Sequence, residues 1–429
     1  MKRIISCLLA IALLLTLAMP VAMAADERTS GAFTYRIKGN GTAAITGYEW
    51  GSQWVGEEIY IPRMLDGYTV TEIANSAFST ADERGYTAED DRKTVSSLVI
   101  PDTVTVIGER AFMGCDFDCI SFNIPASIQH IGIGAFSDLG GELKHFTVDM
   151  NNKTYATVDG LLYNKVQKEL IACPKYGDNK SVFPTSIPEG IISIGAYSCV
   201  GIYDGIVLPS TLKNIGKYAF SFADSDSIGT SGTDTNCLKF PASLSTMGEG
   251  AFYNAYEDYN AVGREVVDLS KTQLTEIPSF AFASSTYWGR IESIYFPPSL
   301  CEIGEEAFAG VAFVSNRNVP AEPISLASTQ VKTIGERAFY QSSFQHNTVE
   351  LPLTLQSIGA QAFYTGSDSH SLKNLTLPAS VTEIGDNMCN REKVVLNVEP
   401  GSYAAVWASE NGYITQGAGE EDTSWLTNP

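Results

Sequence analysis

One pattern recurs eleven times along the chain, and it constrains the fold more than any other feature of the sequence. Each copy contains an apolar residue, two variable residues, Ile, Gly, two variable residues, Ala and Phe, and we call the Ile the anchor. The eleven anchors, one of them a Met, are Ile73, Ile107, Ile131, Ile194, Ile215, Met247, Ile277, Ile303, Ile334, Ile358 and Ile384. A single unit of such a repeat leaves its apolar face open to solvent, whereas stacked units bury it in a continuous core.

The columns around the anchor are nearly uniform. Val, Ile or Leu stands three residues before it in all eleven copies, and Gly follows it in nine. Ala stands four residues after the anchor in nine copies, Phe five residues after it in nine, and Pro six residues before it in eight. Residues before the Pro alternate between apolar and other types, which indicates a short strand that has one buried face and ends at the Pro. The Gly suits either a tight corner or a close approach of two backbones.

These columns predict a β-rich repeat solenoid in which short strands of about a dozen coils form a parallel ladder. At roughly 4.8 Å between paired strands, the ladder would span on the order of 60 Å. The Phe column should form a continuous buried spine that includes Phe112, Phe136, Phe220 and Phe252. All differences in coil length fall after the Ala-Phe pair, so we expect the insertions on one edge of the solenoid.

The predicted solenoid covers residues 68–390 and has a cap at each end. In the N-terminal cap, 25–67, two alternating segments joined by Gly-Asn-Gly predict a hairpin. The C-terminal cap, 391–416, is predicted to contain a last strand over 394–398 and a short helix over 401–408, and the polar tail 417–429 is predicted to be disordered. Between Ile131 and Ile194 we predict a variant hairpin coil over 151–187, with strands over 157–163 and 169–174 joined by a turn.

The N-terminus predicts a secretory signal peptide over residues 1–24. Lys2 and Arg3 precede an almost wholly apolar run, and Ala22-Met23-Ala24 is a small-x-small cleavage site. The alternative is a transmembrane anchor, and no second apolar run near 20 residues follows it. Acidic residues outnumber basic ones 49 to 28, so the net charge of −21 falls to −23 after cleavage. Such a charge disfavours nucleic-acid binding.

The recurring I-G-x-x-A-F unit, with L-x-x-I/L-x-L/F-P ahead of it, resembles the BspA-like (treponemal-type) leucine-rich repeat family of bacterial secreted and cell-surface proteins. The resemblance covers about Phe33 to Tyr413, and the segment from Val158 to Pro174 is similar to a variant unit of that family. It implies a leucine-rich repeat fold, secretion or surface display, and adhesion to host matrix or to other bacteria. The repeat motif names no catalytic residue.

No motif of a catalytic or metal site is found in the sequence. His130, His145, His346 and His370 are not paired at metal-binding spacing. The Asp-Ser-Asp-Ser-Ile-Gly stretch at 224–229 lacks the third acidic ligand of a calcium loop and the Glu six residues after its Gly. We therefore expect a protein that is not an enzyme and that uses no cofactor or metal. Two alternatives stay open: a glycan-acting enzyme whose carboxylates come from adjacent coils, and a structural component of a surface layer.

The cysteines occur mainly at apolar positions. Cys199 and Cys389 replace Phe in the Phe column, so we expect both side chains to be buried and both thiols to be reduced. Cys115 and Cys119 are close enough in sequence to form a disulfide, and this alternative stays open.

The insertions after the Ala-Phe pair are rich in Tyr, Ser, Asp, Asn and Gly, a composition typical of binding loops. They predict a ligand-binding set of Tyr253, Tyr256, Tyr259, Trp288, Tyr340 and Tyr364. The alternative is that these aromatic side chains fold back and cover the Phe spine. We expect a monomer that binds an extracellular protein or glycan, such as host matrix, mucus or the surface of another bacterium.

Overall fold

A computed structural model describes residues 27–51, 57–80, 93–174, 186–202, 206–223, 228–229, 237–255, 266–285, 289–314, 323–365 and 370–417. The predicted signal peptide lies outside the described residues, as does the predicted tail apart from Gly417. Among the described residues, no helix is long and apolar enough to cross a membrane.

The chain is a strand-rich repeat protein whose repeats pair mostly through short parallel strands. Each anchor ends a strand that pairs in parallel with the anchor strand of a neighbouring repeat, and these pairs form interrupted ladders. The anchor strands, preceded by one strand of the N-terminal cap, are β3 (Thr42–Tyr48), β6 (Tyr68–Ile73), β8 (Val106–Ile107), β11 (His130–Ile131), β17 (Ser193–Ile194), β19 (Asn214–Ile215), β22 (Thr246–Met247), β24 (Glu276–Ile277), β27 (Glu302–Ile303), β30 (Thr333–Ile334), β33 (Ser357–Ile358) and β35 (Glu383–Ile384).

A second set of strands lies ahead of the anchors, as the alternating segments predict. Seven of them end one to three residues before the repeat Pro, which cannot donate to a ladder. The pre-anchor strands, with the last two in the C-terminal cap, are β4 (Glu57–Tyr60), β7 (Thr94–Val99), β10 (Ser121–Ile124), β13 (His145–Val148), β18 (Ile206–Val207), β21 (Cys237–Lys239), β23 (Val266–Asp268), β26 (Ser293–Tyr295), β29 (Ile324–Ser325), β32 (Val349–Glu350), β34 (Asn374–Leu377), β36 (Val395–Val398) and β37 (Ile414–Gly417).

A third set of short strands follows the Ala-Phe pair and was not predicted from the sequence. Its members are only two or three residues long and carry no alternating pattern: β9 (Asp116–Phe117), β12 (Gly140–Gly141), β20 (Ile228–Gly229), β25 (Gly289–Arg290), β28 (Val311–Phe313) and β31 (Ser343–Phe344). The remaining strands near the N-terminus are β1 (Glu27–Ser30), β2 (Phe33–Lys38) and β5 (Met64–Leu65).

Both predicted terminal elements are present. Strands β2 and β3 form the expected antiparallel hairpin, and β3 then pairs in parallel with β6 of the first repeat. At the other end, helix α1 (Tyr403–Glu410) follows β36. Its N-terminus is capped because the Ser402 hydroxyl accepts a hydrogen bond from the Ala405 N–H at 3.2 Å.

The predicted Phe spine is buried and stacked, but it is not continuous, because it is divided between Phe136 and Phe220 into stretches that lie in two separate cores. The rings of neighbouring repeats stack face to face, with centroids 5.5 Å apart for Phe252 and Phe282 and 5.4 Å apart for Phe282 and Phe308. The fully buried side chains of the chain include Phe78, Phe112, Phe220, Phe252, Phe282, Phe308, Phe339 and Phe363. This column is the centre of the hydrophobic core along the repeats.

The segment between Ile131 and Ile194 contains three antiparallel strands where two were predicted. They are β14 (Tyr155–Val158), β15 (Leu161–Asn164) and β16 (Glu169–Ala172), and β16 then pairs in parallel with β17. Asp159 and Gly160 form the two-residue turn between β14 and β15, both with positive φ, which is the hairpin turn that Asp-Gly favours. The prediction placed this turn inside a strand because it gave the apolar run more weight than the Asp-Gly pair.

Strand β15 separates two hydrophobic cores. Its four side chains are all buried, with Leu161 and Tyr163 in the core of the later repeats and Leu162 in the core of the earlier repeats. Because successive side chains of a strand point to opposite faces, each face of β15 contributes to a different core.

The Gly after each anchor marks a close approach of two backbones rather than a tight corner. None of the nine column glycines has a positive φ, and a Cβ at any of them would lie less than 3.0 Å from a backbone atom of the preceding strand or repeat. Each column Gly also donates its N–H to a strand carbonyl of the preceding coil, as from Gly359 to Ile334 at 2.8 Å. A side chain at this position would separate the two repeats.

The tight corner is formed two residues later, at the third position after the anchor. All eleven residues there have φ between +50° and +64°, although only two of them are glycines: Ser76, Arg110, Gly134, Tyr197, Tyr218, Gly250, Phe280, Glu306, Arg337, Gln361 and Asn387. For a residue with a side chain, this left-handed conformation costs about 1–2 kcal/mol, so the packing of the repeats must hold it in place.

The cysteine prediction is wrong for Cys199 and agrees with the structure for Cys389. Cys199 is buried, but it forms a disulfide with Cys173 of the variant segment, with their Cα atoms 5.0 Å apart. The prediction missed the pair because the variant segment has no column that aligns Cys173 with the repeat. Cys389 is buried and outside any disulfide among the described residues, and Cys115 and Cys119 do not form a disulfide with each other.

The close approach of two backbones at the column Gly predicts that two substitutions only two residues apart differ in their effect on stability. Gly359→Ala should lower the free energy of unfolding by about 2 kcal/mol or more, because the new Cβ collides with the backbone nitrogen of Glu336. Gln361→Gly is the matched control and should change stability by less than about 1 kcal/mol, since glycine adopts the left-handed conformation without strain. Urea denaturation of both variants tests this, and equal losses in the two would refute the assignment.

The disulfide predicts a specific alkylation pattern. In unreduced, denatured protein, mass spectrometry should find Cys173 and Cys199 unmodified and Cys389 alkylated. In native protein Cys389 should react slowly, because burial raises the pKa of its thiol to about 12. Alkylation of Cys199 without a reductant would show that the bond is absent.

Candidate functional site at the turn segments

Aromatic side chains recur at two positions of the turn that follows each anchor, the third and the sixth. We call the part of each repeat that follows the anchor directly and contains these two positions the turn segment. Its left-handed third residue directs the chain around the corner. In all repeats except those of Ile131 and Ile384, its third and fifth residues donate their N–H groups to the turn segment of the next repeat. Side chains at equivalent positions of successive repeats therefore lie beside one another.

The first aromatic cluster consists of Tyr197, Tyr218, Phe222 and Tyr253. The rings of Tyr197 and Tyr218 stack with centroids 5.5 Å apart, and Tyr253 meets Tyr218 edge-on at 5.9 Å and Phe222 edge-on at 5.8 Å. Tyr197 is buried, whereas the other three are half-buried. Gly250 occupies the third position of the next repeat, and this leaves room for the Tyr218 ring, which a Cβ at Gly250 would strike.

Cations border the first aromatic cluster. The Arg110 guanidinium lies 5.4 Å from the centre of the Tyr197 ring, and Lys217 Nζ lies 5.5 Å from the centre of the Tyr218 ring. Lys217 also forms an ion pair with Glu249 at 2.8 Å. Burial and the neighbouring Glu249 carboxylate raise the pKa of Tyr218, so its hydroxyl is a neutral donor at any physiological pH.

The second aromatic cluster consists of Tyr340 and Tyr364, whose rings stack with centroids 6.1 Å apart. The Arg337 guanidinium lies 4.2 Å from the centre of the Tyr340 ring and forms an ion pair with Glu306 at 2.6 Å. Burial raises the pKa of the Glu306 carboxyl, and the Arg337 charge opposes that shift. Between the two clusters the sixth position holds Ala283 and Ala309, so the aromatic face is interrupted for two repeats.

The structure divides the predicted ligand-binding set. Tyr253 belongs to the first cluster and Tyr340 and Tyr364 to the second, whereas Tyr256, Tyr259 and Trp288 lie outside the described residues. The three described tyrosines are half-buried against aromatic neighbours, so each combines a packing role with an exposed edge.

Sequence analysis missed Tyr197, Tyr218, Phe222 and the bordering Arg110 and Arg337. These residues lie in or beside the fixed repeat and not in the variable insertions on which the prediction relied. For the Tyr and Arg residues, the signal that could have found them is recurrence of large side chains at the third position after the anchor, since stacked repeats bring equal positions together. Phe222 stands at the seventh position, where aromatic residues do not recur.

Among the residues that the structure describes, no group of three or more His, Cys, Asp or Glu side chains could hold a metal ion. What the aromatic clusters can do chemically is bind. Tyr rings present a large apolar area together with a hydroxyl at low conformational cost, and Arg and Lys contribute charge.

The repeats match the model of a known protein family. The family model described as BspA type leucine rich repeat region, in six copies, matches residues 90–160, 178–326 and 320–398, which is more than half of the chain. No curated protein matches the chain.

Solved structures of bacterial proteins are also similar to it. A leucine-rich repeat protein from Eubacterium ventriosum is 16% identical with a TM-score of 0.43, and the match covers 83% of this chain and 91% of that one. One from Bacteroides ovatus is 16% identical with a TM-score of 0.38, covering 91% and 99%. A leucine rich cell surface protein from Faecalibacterium prausnitzii is 16% identical with a TM-score of 0.27, covering 93% and 96%.

Proposed function

This chain belongs to the BspA-type leucine-rich repeat family, and we propose that it is a secreted or cell-surface, non-catalytic protein that binds an extracellular partner through its two aromatic clusters. The observation that carries the proposal is the recurrence of Tyr side chains, bordered by Arg and Lys, at equal positions of stacked repeats. Tyr and Arg are enriched at the residues that contribute most to protein–protein binding.

The proposal includes a single solenoid of about a dozen coils with a cap at each end, because consecutive repeats pair strand to strand. In such an arrangement the turn segments of all repeats lie along one edge. A partner with an extended surface could contact both aromatic clusters at once, and two linked weak contacts bind more tightly than either alone.

Export is supported by the N-terminal pattern of Lys2 and Arg3, the apolar run and the small-x-small site at 22–24. The disulfide between Cys173 and Cys199 agrees with an oxidising, extra-cytoplasmic location. In this location the protein would act in adhesion, with a matrix protein, a mucin or a surface protein of another bacterium as the partner.

Two other functions remain as outcomes of the test. A glycan-acting enzyme with carboxylates from adjacent coils would show turnover, whereas a binding protein would only retain its ligand. A structural component of a surface layer would bind further copies of this chain in preference to foreign proteins.

The aromatic clusters predict which substitutions reduce binding. The mature protein is first applied to immobilised matrix proteins, mucins and a glycan array, and the partner it retains is used in titrations. Tyr340→Ala with Tyr364→Ala, and separately Tyr253→Ala, should weaken binding at least about tenfold, because each removes a large rigid contact. The melting temperature should change little, since these side chains are only half-buried.

The matched control is Tyr295→Ala, an exposed tyrosine on the outward face of β26. Binding should survive this substitution and also changes at Thr376 and Glu350 on neighbouring pre-anchor strands. If binding survives the cluster substitutions and is lost on changing these strand residues, then the ligand binds the strand face and the proposed site is wrong.

A further inference from the structure

A cleft of about 590 Å³ opens where the variant strands interrupt the repeats. One wall is the turn after Ile131, the other is the turn after Ile194, and the ends of β14, β15 and β16 lie between them. The cleft exists because β14–β16 supply no anchor, Gly and Ala-Phe turn to stack between these two repeats. Gly134 of the first wall lies close to the Tyr197 side chain, because a Cβ at Gly134 would be 3.5 Å from it.

Hydrogen bonds hold the walls of the cleft in place. The Ile131 N–H donates to the Tyr155 hydroxyl at 2.7 Å, so a side chain replaces the ladder carbonyl that the next repeat would have offered. The Asn164 side chain accepts from the N–H groups of Val166 and Gln167 at 3.1 and 3.0 Å and fixes the turn after β15. The cleft is therefore preformed and does not depend on a ligand for its shape.

The charge of the cleft is negative. Its lining includes the carboxylates of Glu109 and Glu169 and the imidazole of His130, and it contains no Lys or Arg. Glu169 is half-buried, and burial raises the pKa of its carboxyl. Within the described part of the chain, no Lys or Arg forms an ion pair with Glu169, so its charge lacks the partner that a half-buried carboxylate favours.

A metal ion does not fit these side chains. Glu109, His130 and Glu169 all line the cleft, yet no three such groups among the described residues are close enough to hold one ion. The outer part of the cleft is apolar. Ile133 and Val166 both line the cleft, and they are 57% and 71% exposed to solvent. The ligand that matches this arrangement has an apolar stem and a cationic head.

We propose that the cleft binds a lysine or arginine side chain presented by a protein partner. The methylene stem lies against Ile133 and Val166, and the cationic head pairs with the Glu169 carboxylate beside the Tyr155 hydroxyl. Long basic side chains combine these two features, since their stems pack on apolar surface while the charge pairs elsewhere. This site adjoins the first aromatic cluster at Tyr197, but its proposed contacts use no side chain of either cluster, so it does not depend on the function proposed for them.

The test uses the mature protein and small probes observed by saturation-transfer NMR. Nα-acetyl-lysine methylamide and its arginine counterpart should give saturating signals. Nα-acetyl-norleucine methylamide, which keeps the four-carbon stem of lysine but lacks the ammonium group, should bind at least about tenfold more weakly. Glu169→Gln should weaken binding of the lysine probe by about tenfold, the effect of losing one charge-assisted hydrogen bond. Glu302→Gln, which neutralises an exposed carboxylate on an anchor strand, should leave the probe affinity unchanged.

Several results would overturn the proposal. They are equal binding of the norleucine probe, an unchanged affinity in Glu169→Gln, saturation by methyl glycosides in place of the lysine probe, or displacement of the probe by Ca²⁺. Melting temperatures of both variants exclude a folding defect, because Gln at position 169 removes a half-buried charge and should not destabilise the fold. Since the probes bypass the aromatic clusters, failure here leaves the proposed function untouched.

Discussion

The repeats depend on the close approach of one turn segment to the next. Except at Pro278, each residue after an anchor donates its N–H to the preceding coil. Except in the repeats of Ile131 and Ile384, the third and fifth residues donate theirs to the following repeat, as Phe252 does to Ala281 at 2.8 Å. Three hydrogen bonds in a short turn require almost touching backbones, which explains the column Gly. The same approach sets the spacing at which the Phe rings stack and brings the Tyr side chains of neighbouring repeats together.

The parts of the fold that were predictable from the sequence are those in which one residue type serves one physical purpose. Residues of this kind mark the following parts: the anchor, the Phe spine, the strands before Pro, the N-terminal hairpin and helix α1. The left-handed corner was not predictable, because packing holds residues as large as Tyr218 and Phe280 in a conformation that glycine normally marks. The Cys173–Cys199 pair was not predictable either, since the bond joins a repeat to a segment outside its register.

The candidate site was predictable only in part, for a related reason. Composition pointed to the insertions and to Tyr253, Tyr340 and Tyr364, which the structure places in the two aromatic clusters at the turn. It could not show that Tyr197 and Tyr218 join the same face, because contact between them arises from stacking and not from proximity in sequence. The interruption by β14–β16 has the opposite effect, because it removes one turn segment and leaves a polar cleft in its place.

Amide hydrogen exchange tests the stacking of the turn segments most directly. We predict that the amides of Phe220, Phe252, Phe282 and Phe308 exchange only through global or near-global unfolding, because each donates to the next repeat. Gly134 lies at the interruption, where no described backbone carbonyl accepts from its N–H, and its amide should exchange much faster. Rapid exchange of the Phe amides, at rates typical of open loops, would contradict the stacked arrangement and with it the aromatic face.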